Sequence, residues 1–268
     1  MAKENYVFLV GQLLQEPKIV KNKDGESIRG DCVVTTLRRD NKKRRENNNP
    51  IWDKPIVMTG NKEMIENMDR LEQFDFVEVK GTVTTKEIKR GTICPHCNQR
   101  NIQKGVMTFI TPQFIGKRRA SKSRTEGFPY LREHAEISNI CKIIGRLCRD
   151  PEIYTNSEGV TCCEYQIAVN RKYYIDKSTI TDRTDYPWVK TFNEQAHDDI
   201  NTLKMGSLVY LDGCIRTRTI DRVTLCEHCN QDYNWKDVVL EILPYSVEYL
   251  TDCDKPEPKM GNLSNNSD

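Results

Sequence analysis

Apolar and polar positions alternate in short runs along most of this chain, and the same order of runs occurs twice. In the first half an apolar run at 7–10 is followed by the turn signal Asp24-Gly25 and a β-rich stretch at 32–36. A polar excursion over 38–54 then leads to a short strand at 55–59. Met64, Ile65, Met68 and Leu71 fall on one face at helical spacing and predict a single amphipathic helix. A strand over 74–81 ends on glycine, an extended arm follows, and a last strand is predicted at 106–110. The second half repeats the order. It has Glu158-Gly159, strands at 165–169 and 187–191 on either side of a polar excursion at 171–186, and a helix carrying Ala196, Ile200 and Leu203. A strand at 207–213 ending on Gly213 and a last strand at 238–243 complete it.

Anchors fix the correspondence. Asn5, Gly11 and Pro17 return as Asn139, Gly145 and Pro151, a shift of 134 residues. Pro55, Gly81, Pro112 and the run Cys94-Pro-His-Cys97-Asn-Gln99 return 132 residues on, at Pro187, Gly213, Pro244 and Cys226-Glu-His-Cys229-Asn-Gln231. A shift that drifts by so little implies a duplicated domain, and the expectation is that both halves do the same work. Three strands, a helix, then two strands is the order of the five-stranded OB barrel. The predicted fold is therefore all-β with one helix per repeat, two tandem OB-fold barrels bridged by a shared zinc site. Residues 1–116 form the first barrel, 117–138 a basic linker, 139–251 the second barrel, and 252–268 a polar, disordered tail.

Composition narrows the setting. Of 268 residues, 37% are hydrophobic and 30% charged, and no apolar run is long enough to span a membrane. The N-terminus shows no secretory signal, so the expected location is the cytoplasm. Eleven cysteines there are not a disulfide framework. Seven of them stand singly or adjacent and read as small core side chains. The net charge of +2 is uninformative, but the cations cluster at 38–45 and 117–124.

At this level the chain resembles the bacterial single-stranded DNA-binding protein family. That family opens on Asn-x-x-x-x-x-Gly-x-Leu-x-x-x-Pro and later has an aromatic-led strand, a helix and a Lys-Gly-x-x-Val-x-Val-x-Gly-x-Leu-x-x-Arg run. Gly145, Leu147, Pro151, Trp188, Phe192, Gln195, Ala196, Lys204, Gly206, Gly213, Arg216 and Arg218 carry the match in the second copy. Gly11, Leu13, Pro17, Glu63, Val77, Val79 and Gly81 carry a looser one in the first. The resemblance implies sequence-tolerant binding of single-stranded DNA, with RNA as the rival ligand, in replication, recombination or mobile-element transfer. An adaptor that binds replication or conjugation proteins is the alternative from another class. Two features depart from the family: the CxxC motifs, and a tail without the acidic, Phe-terminated tip that recruits partners.

Single strands are held by cations that follow phosphates and rings that stack bases. Candidates in the second copy are Arg171, Lys172, Tyr173, Tyr174, Trp188, Phe192, Arg216, Arg218 and Arg222. In the first they are Arg38, Arg39, Lys42, Lys43, Arg44, Arg45, Trp52, Lys86, Lys89 and Arg90. Trp188 and Phe192 share one strand face, which is either the groove or the barrel core. Each CxxC is half of a tetrahedral zinc site. The simplest completion is one Zn²⁺ per chain held by Cys94, Cys97, Cys226 and Cys229, with His96 and His228 pointing away. Sites completed by a second chain of a homodimer, a redox CxxC, and no metal stay open. No catalytic set is visible, so no enzyme is expected. Asp198-Asp199 reads as a solvated helix face rather than a metal-dependent nuclease.

Overall fold

A computed structural model describes residues 4–39, 50–155, 159–170 and 184–253. In the first repeat β1 (Asn5–Leu13) is followed by a hairpin of β2 (Lys18–Lys21) and β3 (Ser27–Leu37), then β4 (Trp52–Asp53) and β5 (Ile56–Thr59). Helix α1 (Lys62–Asp69) starts at Asn61, whose side chain accepts the Met64 amide at 3.2 Å, and buries Met64, Ile65 and Met68. Two long strands, β6 (Phe76–Ile93) and β7 (Arg100–Arg119), close the repeat. The second repeat has β8 (Asn139–Leu147), β9 (Glu152–Thr155), β10 (Thr161–Asn170), β11 (Thr184–Asp185) and β12 (Trp188–Phe192). Its last elements are a helix at Glu194–Thr202, β13 (Leu208–Leu225) and β14 (Asp232–Thr251).

Pairing confirms two OB-type barrels. In each, the first strand pairs with the second and fourth, and the third runs parallel to the fifth, through Val57↔Ile110 and Val189↔Ile242. Gly81 and Gly213 sit at register shifts in the fourth strands. A Cβ there would collide with the carbonyl oxygens of Thr111 and Leu243, which accounts for glycine recurring at both sites.

The two barrels meet strand to strand. β1 pairs antiparallel with β8, and Val7 faces Cys141, its own counterpart under the 134-residue shift. A pseudo-twofold axis therefore passes through that pair. Asn5 binds the backbone of Val83 at 2.8 and 3.0 Å, and Asn139 binds that of Ile215 at 2.8 and 2.9 Å. These reciprocal bonds are what the recurring Asn supplies. One hydrophobic cluster runs through both repeats and takes in Cys32, Cys141 and Cys163. Burial pushes the Cys32 thiol up to about 12, as expected of an inert core cysteine.

Two stretches carry more structure than their sequence disclosed. In the expected basic linker at 117–138, β7 runs to Arg119, and a 3-10 turn (Arg124–Glu126) leads into α2 (Gly127–Glu133) and α3 (Ala135–Ser138). Leu131 and Phe128 bury against Val10, Leu37 and Phe76, and Ser138 bridges Val10 and Leu37. The dense positive charge had masked this apolar stripe. The helix at Glu194–Thr202, α4 in chain order, is rotated so that Asp199 is fully buried while Asp198 is exposed. Asp199 accepts bonds from Thr191 Oγ1, Gln195 Nε2 and Tyr249 OH at 2.6, 2.9 and 2.7 Å. Only half of that Asp-Asp pair is solvated. Among the described residues no helix is long and apolar enough to cross a membrane. The predicted tail beyond Cys253 lies outside the described residues.

Candidate nucleic-acid interface and metal centre

β6 and β7 form one arm, β13 and β14 another, and a CxxC caps each hairpin. Both tips fold alike. The Cys94 amide bonds to the Gln99 carbonyl and the Asn98 amide to the Cys94 carbonyl at 3.0 and 2.9 Å, and Cys226, Gln231 and Asn230 repeat this at 3.0 and 3.0 Å. Asn98 and Asn230 have φ of 60° and 54°, the left-handed region that asparagine tolerates better than most residues. That is the local reason for the shared Cys-Asn-Gln.

The tips converge. Cys94 Sγ lies 3.7 Å from Cys229 Sγ, Cys97 Sγ lies 3.6 Å from Cys226 Sγ, and all four sulfurs fall within 4.8 Å of one another. A tetrahedral zinc with bonds of about 2.3 Å requires sulfurs roughly 3.8 Å apart. A disulfide requires about 2.05 Å, and all eleven cysteines are free. The four thiols thus fit a single metal ion held within one chain. Asn101 Nδ2 donates to Cys226 Sγ at 3.4 Å while its Oδ1 accepts the Glu227 amide at 3.0 Å. Burial opposes ionisation of Cys226, but the amides of His228 and Cys229 together with Asn101 bring its thiol down to about 6. His96 turns away and bonds the Asp232 carbonyl at 3.2 Å.

Below the tips, each repeat reaches for the other's arm. Asp53 Oδ1 accepts the Thr217 amide, and Thr217 Oγ1 accepts the Lys54 amide, both at 2.8 Å. Asp185 Oδ1 accepts the Thr85 amide at 2.7 Å, and Thr85 Oγ1 accepts the Tyr186 amide at 3.0 Å. The two sets are related by the 132-residue shift.

On β12, Val189 and Thr191 face inward while Trp188 and Phe192 stay partly exposed on the outer face. The core alternative for these rings therefore fails. Each ring on this face has a cation near it. Arg149 lies 4.2 Å from the Trp188 centroid, Arg216 lies 5.2 Å from that of Phe192, and Lys190 lies 4.8 Å from that of Tyr154. Burial and the Glu164 carboxylate hold the Tyr154 phenol up at about 12, so it stays neutral. Arg216 and Arg218 share Glu241 at 3.4 and 3.1 Å. In the first repeat the matching positions read Ile56 for Trp188, Met58 for Lys190, Thr84 for Arg216 and Val20 for Tyr154.

Other predicted contacts have structural partners. Arg38 makes a two-pronged bond to buried Asp53 at 2.8 and 2.9 Å, and Arg39 pairs with Glu136 at 2.7 Å. Trp52 packs edge-on against Phe128, 6.0 Å between centroids. Arg90 and Arg222, one from each arm, both pair with Asp237 at 2.6 and 3.4 Å. Lys86 and Lys89 are exposed. Lys42, Lys43, Arg44, Arg45, Arg171, Lys172, Tyr173 and Tyr174 lie outside the described residues. Sequence reasoning missed Arg149, Tyr154 and Lys190. Lys190 was legible, since alternation puts it between Trp188 and Phe192 on one face. Tyr154 sits on a short strand with no clear periodicity of its own.

The profile of the single-strand binding protein family matches residues 138–232. A single-stranded DNA-binding protein of Halalkalibacterium halodurans is 31% identical over 108 residues, covering 40% of this chain and 58% of that protein. Single-stranded DNA-binding protein 2 of Staphylococcus aureus (strain COL) is 32% identical over 120 residues, covering 45% of this chain and 74% of that one. Over nearly the whole chain the fold is similar to the crystal structure of the wild-type single-stranded DNA binding protein from Thermus aquaticus. That match has a TM-score of 0.59 at 16% identity, covering 96% of this chain and 97% of that one. With its barrel order, its recurring motifs and these relatives, the chain belongs to the single-strand binding protein family.

Proposed function

We propose that the chain binds single-stranded DNA with little sequence preference, bases stacking on the outer face of the second repeat and phosphates held by the cations beside the rings. The observation that carries this is the row of Trp188, Phe192 and Tyr154, each with a cation at its ring. A base on such a ring is worth about 1–3 kcal/mol. Replication, recombination or mobile-element transfer is the proposed setting, as a cytoplasmic protein with reduced thiols and no catalytic step. Titrating a labelled oligothymidylate by fluorescence anisotropy at increasing salt tests it. The log of the affinity should fall with log salt at about −0.7 per phosphate neutralised. A salt-insensitive affinity, or none, removes the reading.

We assign one zinc ion per chain to Cys94, Cys97, Cys226 and Cys229. Its contribution when bound is structural. The chain's own residues already bring the arms together through Asp53, Thr217, Asp185 and Thr85, and the thiolates fasten the tips. Elemental analysis of untagged protein should find one zinc per chain; two or none sinks the assignment.

A further inference from the structure

We propose that the cleft between the arms, running from their base up to the cysteine tips, is a second base-binding subsite, where Trp235 serves the first repeat as Trp188 serves the second. It rests on the single-stranded DNA reading above. The cleft encloses about 560 Å³, within the roughly 300–1,000 Å³ usual for small-ligand sites, and is lined by Lys54, Ile56, Arg90, Met107, Trp235 and Lys236.

The 132-residue shift places Ile56 where the second repeat has Trp188, Lys54 where it has Tyr186, and Gln103 where it has Trp235. Each side of the arm pair therefore keeps one tryptophan, carried by the strand on one side and by the opposite arm on the other. Ile93 and Val238, also in the lining, are 66% and 52% exposed, more apolar surface than the arms' own pairing requires. Charge favours a nucleotide over a neutral partner. The cleft's one carboxylate, Asp237, is met by both Arg90 and Arg222, and Lys54 and Lys236 add two more cations at the walls. An apolar floor with an indole suits a base, and this cationic excess suits its phosphate.

The test is anisotropy with a labelled oligothymidylate on the full-length, zinc-loaded chain, with zinc measured for every variant. Trp235→Ala should weaken binding about five- to a hundredfold. Trp235 also packs on the cysteine cluster and donates to Thr224 Oγ1 at 3.0 Å, so Trp235→Phe, which keeps a ring, should restore most of the affinity. Lys54→Ala with Lys236→Ala should weaken binding and flatten the salt slope by about 0.7 per lost contact. In a Trp52→Phe, Trp188→Phe background, emission from Trp235 should change as the oligomer binds. Unchanged Trp235 emission together with wild-type affinity in the lysine variants overturns the subsite and leaves the Trp188 face standing. A Trp235→Ala loss that tracks lost zinc alone also overturns it. If the wild type binds no oligothymidylate, both readings fall.

Discussion

At the third strand the two repeats part company. In the second, Trp188, Lys190 and Phe192 project from the outer face of β12 with Arg149, Tyr154 and Arg216 around them. In the first, the same positions hold Ile56, Met58 and Gly60, and the neighbours become Gln15, Val20 and Thr84. The backbone devices have not diverged: Asn5 and Asn139, Asp53 and Asp185, and Asn98 and Asn230 each make matching bonds or turns. Groups that fix the pseudo-symmetric frame are kept because losing one leaves buried polar atoms unpaired. Side chains on the outer face are under no such constraint. The duplication is thus closer in the scaffold than on this outer face.

The largest effect should come from removing the second repeat's rings. Trp188→Ala with Phe192→Ala should cost about 2–6 kcal/mol of oligothymidylate affinity, two stacked bases at about 1–3 kcal/mol each. Met58→Ala with Val20→Ala, at the first-repeat positions matching Lys190 and Tyr154, should leave affinity near wild type. Equal losses in the two pairs would erase the asymmetry.

Arg38 separates frame from surface in another way. Its guanidinium pairs with fully buried Asp53, which also accepts the Thr217 amide, so Arg38→Ala strands a buried carboxylate. Loss of one partner of such a pair typically costs about 3 kcal/mol of stability. Thermal denaturation should show the drop, while oligothymidylate affinity well below the transition stays close to wild type. Lys86→Ala, an exposed position matching Arg218, should do the reverse. A smaller effect is expected at the arm tips. Asn101 braces Cys226 from the other arm, and in the second repeat its place is taken by Tyr233, whose hydroxyl meets Thr92 at 2.6 Å. Asn101→Ala should lower zinc affinity about 10–100-fold in chelator competition.

These variants follow the line between what the sequence disclosed and what it hid. The duplication, the barrel order and the four cysteines were legible because each rests on local pattern or on an exact repeat. Where cations find their acids was not. Arg90 meets Asp237 only because the two arms pack together, and Arg38 meets Asp53 only because β3 pairs with β4. Nor does anything local show that Phe128, 76 residues on, folds back against the candidate groove ring Trp52.

Asp199 offers the finest test, on a difference between the two helices. α1 turns methionines and an isoleucine inward, whereas α4 turns in a carboxylate. Burial raises the Asp199 pKa above its ordinary 3.8, and the bonds from Thr191, Tyr249 and Gln195 only partly offset this. A carboxyl raised in the folded state binds more protons there than in the unfolded chain. Stability tied to this group is therefore complete below the unfolded pKa and declines as pH rises through the folded one. Asp199→Asn removes the titration: the amide oxygen can still accept from Tyr249 and Gln195, while the NH2 that replaces Oδ2 donates to the Thr191 hydroxyl. Urea denaturation across the acid range should show a shallower fall of stability with rising pH in the variant than in the wild type. Parallel profiles would mean that the hydrogen bonds, not burial, set the ionisation of Asp199.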